Sequence, residues 1–397
     1  MGTLRVLHVC APGSPGGGSC LLRLLAATRR AAPQDGVLLL GPAGASREAA
    51  LVGLGPHWRL PPLLGAPALL RVPLRRAIAA WRPLLLHAWD AESALLLARI
   101  APDLEGAPPM AATLTAVREP AGAAPLSLDR MEALCIGDRA RHQAAAFGWL
   151  PGRLRSVMPP RMAGPAGSRA ALRRRWGAGE GTRVVLVSAD PWSAADGRVA
   201  FDAAGRAFLA GQPVKLVVEP RIAQAHELWR LDRLTQLGGL VVVEPEAALP
   251  WRVAPGADVH YLPEAVHPLE GPHRSRWRAI SGPPSGALGA AWSAAEGLCV
   301  VAPRNGPVDQ AMVPQRLSLV DPGPNLAALA LGEVTQVRGG ADGGAAGGTD
   351  ANADANTHAV DRVDPSWLDE VAGLYARAGL ADAERWYGSR SLAAASA

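Results

Sequence analysis

The sequence predicts an α/β protein built from two tandem Rossmann-like domains. Its 397 residues exceed the roughly 250–300 residues at which a single hydrophobic core stops growing, so we expect two domains. Short apolar runs alternate with longer helical patterns, which indicates βαβ units around a parallel sheet. The alternation starts again after a segment rich in Pro, Gly, Met and Arg, and this restart predicts a second domain of the same kind.

The first domain is expected to span residues 1–158. Its predicted strands are Leu4–Val9, Gly36–Leu40, Leu84–His87, Met110–Leu114 and Ala133–Ile136, and its predicted helices are Cys20–Arg30, Leu69–Trp81 and Asp138–Phe147. Asp138 is expected to cap the last helix, because a carboxylate at this position accepts hydrogen bonds from the first backbone N–H groups. The opening run LRVLHVC leads into glycines, so we interpret it as the first strand and not as a signal peptide.

The second domain is expected to span residues 159–335. Its predicted strands are Arg183–Val187, Val214–Val218, Leu240–Val243, Val259–Leu262, Leu298–Ala302 and Leu317–Val320, and the segments between them are long enough for helices. The same alternation as in the first domain therefore predicts a second doubly wound sheet.

The chain after the second domain divides into a linker and a helical tail. Residues 336–358 contain GGADGGAAGGTDANADANT, which has almost no side chain able to enter a core, and this composition predicts a flexible linker. Residues 359–397 are expected to form helices that dock on the body of the protein. Trp367, Val371, Leu374 and Tyr375 stand at helical spacing there, and Ser366 is the predicted N-cap.

The charge pattern argues against nucleic acid as a partner. The formal charge of +5 comes almost entirely from arginine, since Lys215 is the only lysine. The arginines are scattered among acidic residues, and no recognisable nucleic-acid-binding module accompanies them. Two local clusters, Arg71/Arg75/Arg76 and Arg173–Arg175, lie on predicted helices. We interpret both clusters as solvated faces, with a membrane-contact patch as the alternative.

The cysteines and the hydropathy point to a cytoplasmic protein. Cys10, Cys20, Cys135 and Cys299 are far apart and show no C-x-x-C spacing, which indicates neither a zinc site nor a disulfide framework. No apolar stretch approaches the roughly 20 residues needed to cross a bilayer. We therefore expect a cytoplasmic location, and the sequence leaves open a peripheral contact at the inner face of the membrane.

Six segments, in order along the chain, resemble the two-domain glycosyltransferases. The opening LRVLHVCAPGSPGGGSCLLRLL is similar to their first strand, glycine loop and first helix, and RPLLLHAWDAESALLLARI to a strand that ends in a histidine pair. CIGDRARHQAAAFGWLPGRLRSVMPP resembles the end of the first domain, and LRRRWGAGEGTRVVLVSAD the entry into the second. ADVHYLPE and EGLCVVAP resemble the strands beside the donor site. Their order over residues 3–335 marks a resemblance to the GT-B fold of the family-four, glycogen-synthase-like, retaining type.

The resemblance implies a cleft between the domains in which a hexose passes from a nucleotide sugar to a glycan, lipid or small-molecule acceptor. It implies neither a cofactor nor an obligatory metal. Gly16, Gly17 and Gly18 would face this cleft and expose backbone N–H groups at a helix N-terminus, where an anion is favoured. The alternative for the glycines is a simple turn.

His87 and the residues after it are further cleft candidates in the first domain. His87 closes an apolar strand at the carboxyl end, where open α/β sheets bind ligands, although a hydrogen-bonded core histidine is an equal alternative. The family often has a second histidine two positions on, and this chain has Trp89 there, followed by Asp90. Another cleft histidine of the family is absent from TLTAVRE, which leaves Arg118 and Glu119 as the polar candidates.

The basic pair that neutralises the donor diphosphate in the family is missing from the second domain. Family members place an arginine after the first strand and a lysine a few residues later, where both stabilise the leaving group. This chain reads VSADPWSAADGR, with Ala189 or Asp190 near the first position. Arg198 could take over the role if the loop has been rebuilt.

The two glutamates of the family's donor helix are missing as well. They stand eight positions apart and contact the sugar and the nucleotide ribose. Pro284 and Trp292 occupy these positions here, and neither accepts a ribose hydroxyl as a carboxylate does. Glu270, followed by Gly271, is the alternative for the first glutamate, which requires the chain after it to be an insertion.

Three hypotheses on function follow. The first is a nucleotide-sugar-dependent glycosyltransferase with a divergent donor site. The second is a catalytically inactive relative that binds a nucleotide or glycan or acts as a scaffold, which the missing arginine, lysine and glutamates favour. The third is a two-Rossmann epimerase or a phosphorylase-like enzyme, which no residue specifically supports. Other catalytic motifs, such as G-x-S-x-G, the Walker loop and H-E-x-x-H, are absent from the sequence.

Overall fold

The structure is a computed structural model. It describes residues 5–10, 18–31, 35–40, 58–60, 67–100, 108–115, 128–163, 167–187, 194–218, 223–235, 237, 239–248, 250–261, 286–303, 317–320 and 362–380. The predicted linker, residues 336–358, lies outside this part of the chain.

The first sheet contains seven parallel strands, β1 to β7. Their bounds are Val6–Cys10, Gly36–Leu40, Trp58–Leu60, Leu85–Ala88, Met110–Leu114, Met131–Ile136 and Leu154–Val157. The spatial order is β3-β2-β1-β4-β5-β6-β7, and every neighbouring pair is parallel. Strands β1, β2, β4, β5 and β6 are buried along their whole length, as expected when helices cover both faces of a parallel sheet.

Four helices accompany the first sheet. They are α1 (Gly18–Ala31), α2 (Pro67–Trp81), α3 (Ala91–Ile100) and α4 (Asp138–Ala146). Helix α1 packs on one face of the sheet, and α2, α3 and α4 pack on the other. The prediction that Asp138 caps α4 is wrong. The N-cap is Gly137 in a left-handed conformation, and no side chain accepts a hydrogen bond at this position, because the chain turns sharply out of β6.

The second sheet repeats this topology with six parallel strands. A short strand, β8 (Met162–Ala163), and helix α5 (Arg169–Arg175) come first along the chain. The sheet strands β9 to β14 are Arg183–Val187, Val214–Val218, Val241–Val243, Val259–Tyr261, Cys299–Pro303 and Leu317–Val320, in the order β11-β10-β9-β12-β13-β14. Helices α6 (Ala194–Leu209) and α7 (Ala223–Thr235) cover one face. Helices α5, α8 (Pro250–Val253) and α9 (Gly286–Ala295) cover the other.

The chain crosses between the two sheets twice, side by side. β8 lies on the first crossing and pairs antiparallel with β15 (Arg362–Val363) on the second. Helix α10 (Pro365–Arg377) follows β15 and packs on the first sheet, on the same face as α1. The predicted boundary between residues 158 and 159 lies on the first crossing and stays a prediction.

Helix α10 buries the apolar residues that the sequence predicts to be one face of a helix. Trp367, Val371, Leu374 and Tyr375 are all buried. The predicted N-cap, Ser366, is wrong, because the carboxylate of Asp364 accepts from the backbone N–H of Ser366 at 2.9 Å and Pro365 opens the helix. Residues 381–397, predicted to continue the helical tail, lie outside the described residues.

The basic cluster Arg173–Arg175 is not simply a solvated face. Arg173 is buried, and its guanidinium donates to Asp258 Oδ2 at 3.2 Å, to the Gly179 carbonyl at 2.7 Å and to the Thr182 carbonyl. The prediction is therefore wrong for Arg173, which connects α5 to the start of the second sheet. None of the described helices is long and apolar enough to cross a membrane.

Candidate functional site

The topology of each sheet singles out one edge for ligand binding. In both sheets the strand order reverses after the first strand, between β1 and β4 and between β9 and β12. Open α/β sheets bind ligands outside the carboxyl ends of the strands at such a reversal. In each sheet we call the carboxyl ends of these two strands the ligand edge. It lies at Cys10 and Ala88 in the first sheet and at Val187 and Tyr261 in the second.

Helix N-termini follow all four strand ends. Helix α1 comes after β1, α3 after β4, α6 after β9 and α9 after β12, and neither α1 nor α9 carries an acidic residue in its first turn. Unpaired backbone N–H groups and the helix dipole favour an anion at such positions. Gly18 is the first residue of α1, and the other two predicted glycines, Gly16 and Gly17, lie outside the described residues.

Asp90 lies at the ligand edge and starts helix α3. Its Oδ1 accepts from the backbone N–H of Ser93 at 2.7 Å, and its Oδ2 accepts from the Ser93 hydroxyl at 2.8 Å. The Asp90 carbonyl accepts the first helical bond, from Ala94. Asp90 therefore acts as the N-cap of α3, and both of its carboxylate oxygens take part in that cap.

His87 has the geometry of a hydrogen-bonded core histidine. The residue is fully buried, with Nδ1 at 2.7 Å from the Tyr375 hydroxyl and Nε2 at 2.9 Å from Thr113 Oγ1. Burial, and then the electrostatic effect of nearby His8, lower the pKa of His87 well below its usual value. Of the two alternatives that the sequence leaves open, the structure shows the hydrogen-bonded core histidine.

A second buried histidine, His8, lies beside His87 and was not among the sequence candidates. Trp89 donates its indole N–H to His8 Nδ1 at 2.9 Å, and His8 Nε2 lies 3.2 Å from Asp35 Oδ2. An indole is only a donor, so Nδ1 must be the acceptor and Nε2 carries the proton toward Asp35. The available signal was a polar residue inside the apolar strand VLHVC, since a buried polar group needs a partner.

Trp292 points into the core instead of the ligand edge. It lies on α9, is 2% exposed, and donates its indole N–H to the Pro160 carbonyl at 2.7 Å. Its ring meets Trp251 edge to face at a centroid distance of 4.7 Å. The position where the resemblance implies a ribose-binding glutamate thus belongs to the packing between α9 and the crossing segment.

Of the remaining sequence candidates, the structure describes only the backbone of Arg198. The backbone of Arg198 lies in α6, which starts after the carboxyl end of β9. Arg118, Glu119, Glu270 and Pro284 lie outside the described residues. Within the described part of the chain, no group of three or more His, Cys, Asp or Glu side chains is arranged to hold a metal ion.

Comparisons of the fold identify similar solved structures, although no family model and no curated protein sequence matches the chain. A glycosyltransferase from Rickettsia africae has a TM-score of 0.54 at 10% identity over 85% of this chain and 90% of its own. A Listeria monocytogenes protein assigned as a UDP-N-acetylglucosamine 2-epimerase has a TM-score of 0.55 at 12% identity, with 85% and 89% covered. HepE from Anabaena, solved with UDP and glucose, has a TM-score of 0.50 at 15% identity, with 84% and 95% covered.

These similarities confirm the predicted fold class. The chain has two parallel α/β sheets in the arrangement of GT-B proteins. At 15% identity or less they show the fold alone.

Proposed function

We propose that this protein binds a nucleotide sugar at the ligand edge and transfers its hexose to a glycan, lipid or small-molecule acceptor. The observation that carries the proposal is the paired reversal of strand order, which directs the N-termini of α1, α6 and α9 to the ligand edges of the two sheets. A diphosphate is a suitable ligand for such N-termini. The similar folds of a glycosyltransferase and of a protein solved with UDP and glucose support this ligand class.

The proposal gives named residues testable roles. Arg198, on the helix after β9, would neutralise the departing diphosphate, and Glu270, in the connection after β12, would contact the sugar. Gly16 to Gly18 would offer backbone N–H groups. The nucleotide sugar is the co-substrate, and the proposal includes neither a cofactor nor a metal ion.

We also propose a cytoplasmic location. Cys10 and Cys135 are buried, Cys299 is half-buried, and none of these three forms a disulfide. Cysteines outside disulfides suit a reducing compartment.

A catalytically inactive binding or scaffolding protein is the second candidate, and the placement of Trp292 favours it. This residue replaces a donor-site carboxylate and is built into the core. A fold that has lost its catalytic carboxylates still offers helix N-termini to a nucleotide, so binding and catalysis require separate tests.

Calorimetric titration with UDP, GDP, ADP and their sugar conjugates tests the donor site. We expect micromolar binding of one nucleotide and its sugar conjugate. Arg198→Ala should weaken both at least about tenfold, and Glu270→Ala should weaken the sugar conjugate, because each substitution removes a charged contact to that part of the ligand. Arg206→Ala is the matched control, since Arg206 lies on the same helix and pairs with Asp202 at the surface. Absence of binding at millimolar nucleotide would refute the transferase and leave the scaffolding role of the second candidate.

Proton NMR of the bound nucleotide sugar separates the candidates. Slow release of free sugar and nucleotide, lost in the Glu270→Ala protein, supports a transferase, because water then replaces the acceptor. An unchanged nucleotide sugar under binding conditions supports the inactive candidate. Interconversion of the sugar at C2 would instead assign an epimerase and contradict the proposal.

A further inference from the structure

Four large apolar side chains are exposed on two neighbouring helices of the second domain, α6 and α7. Leu209 is 76% exposed, Leu234 69%, Trp229 41% and Phe208 38%. They make up half of the eight large hydrophobic residues that are exposed in the described part of the chain. Single exposed apolar residues are ordinary, whereas a cluster marks an interaction surface. We call these four residues the end patch.

Three of the four residues lie at the end of the domain opposite the ligand edge, and Trp229 lies five residues before Leu234 on α7. Helices α6 and α7 each follow a strand of the parallel sheet and run back beside each other, so both end beyond the amino ends of the strands. Phe208 and Leu209 are the last residues of α6, and Leu234 is next to last in α7. Every residue from 208 to 213 is exposed.

The surroundings of the end patch are basic. Arg206, Arg230 and Arg233 are exposed on the same two helices, and the guanidinium of Arg233 lies 4.1 Å from the centre of the Trp229 ring. Among the described exposed side chains of α6 and α7, Asp202 is the one carboxylate. Asp232 is buried and accepts from the backbone N–H of Leu240 at 2.9 Å, so it does not offset the surface charge.

We propose that the end patch attaches the protein to the surface of an anionic lipid bilayer. Apolar side chains with tryptophan enter the headgroup region, while arginines bind anionic headgroups. A second copy of this chain is a less suitable partner for the end patch, because a twofold contact would bring the arginines of the two patches together. The attachment turns the ligand edge of the second sheet away from the bilayer. It does not rest on the proposed transferase activity.

Vesicle co-sedimentation tests the proposal with two lipid compositions. We expect the full chain to bind vesicles of phosphatidylcholine mixed with phosphatidylglycerol, and to bind vesicles of phosphatidylcholine alone much more weakly. Leu209→Ser combined with Leu234→Ser should weaken binding at least about tenfold, through the lost apolar area. Arg230→Gln and Arg233→Gln should each weaken it about fivefold, and added salt should weaken it further.

The matched control is Leu84→Ser combined with Leu150→Ser, because both leucines are 48% exposed on the first domain. This variant should bind as the unchanged protein does. Equal binding to both lipid compositions, or an equal loss in the control, would overturn the proposal. So would a dimer in light scattering that the Leu209→Ser/Leu234→Ser protein cannot form. Circular dichroism and a thermal melt confirm that each variant is folded.

Discussion

The buried histidines of the first sheet form part of a polar chain that connects elements distant in sequence. It runs from Asp35 through His8 to the Trp89 indole, which stacks on His87 at 4.7 Å between ring centres. His87 continues it to Tyr375 on α10. Each group is buried, and leaving one such group without its partner costs about 1–3 kcal/mol. These residues therefore stabilise the docking of α10.

His87 should make the stability of the fold depend on pH. The pKa of the folded residue is well below 6.5, whereas an unfolded histidine titrates near 6.5. Between these values the unfolded chain binds more protons, so the free energy of unfolding rises with pH. The contribution is complete above the unfolded pKa and is lost below it, with a slope of at most about 1.4 kcal/mol per pH unit.

Urea unfolding at a series of pH values measures this slope in the unchanged protein and in two variants. His87→Gln should flatten the dependence, because glutamine has hydrogen-bonding groups but does not titrate. His142→Gln is the control, since His142 is exposed, and it should keep the slope of the unchanged protein. An identical slope in the His87→Gln protein would contradict the prediction.

Helix α5 shows how one element is fixed by a buried ion pair. Arg169 and Arg173 both bind Asp258, and the same carboxylate accepts from the backbone N–H of Val184 at 2.8 Å. Burial alone would raise the pKa of Asp258, but these hydrogen bonds and the two positive charges hold it below its usual value. The helix also approaches Gly256 closely, because a Cβ there would lie 2.6 Å from Leu172 Cβ.

The two arginines of α5 should contribute unequally to stability. Arg173→Ala should cost about 3–5 kcal/mol, since it removes one partner of a buried pair and leaves backbone carbonyls unpaired. Arg169→Ala should cost about 1 kcal/mol, because the Arg169 side chain is 42% exposed and Asp258 keeps Arg173. Denaturant unfolding of both proteins measures the difference. Equal losses of stability in the two variants would show that the burial of each arginine does not determine its contribution to stability.

At the scale of the whole molecule, one apolar cluster is shared by the two domains and α10. It includes Leu25 of α1, Trp292 of α9 and Trp367 of α10, together with Met162 of the first crossing. Trp292 secures this arrangement through its bond to the Pro160 carbonyl. The position where the resemblance implies a donor-site carboxylate is thus part of the core, because the indole packs against the segment between the sheets.

Trp292→Glu should therefore destabilise the protein and not restore donor binding. A carboxylate at this position would be buried without a partner, at a cost of about 3–5 kcal/mol. Trp292→Phe is the matched control, which loses only the indole N–H and should cost about 1 kcal/mol. Unfolding curves and UDP titration check both variants. A stable Trp292→Glu protein that binds UDP more tightly would contradict this assignment.

The elements that sequence analysis predicts well are those with a mostly apolar run of four or five residues. The predicted strands Gly36–Leu40, Met110–Leu114, Val214–Val218 and Leu317–Val320 have the bounds of the structure. Sequence analysis missed β3, β7, β8 and β15, because they are only two to four residues long and the two middle positions of β7 lie outside the core. Such strands contain too few apolar side chains to be distinguished from loops.

The sequence by itself determined the fold class, because the alternation of apolar runs and helices is a local pattern that only a doubly wound sheet buries well. The tertiary structure alone decided which polar residues lie in the core and what they contact. His87 and Tyr375 are 288 positions apart, and Trp292 and Pro160 are 132 apart. Such pairs leave no local pattern. Burial and hydrogen bonding depend on which surfaces the folded chain brings together.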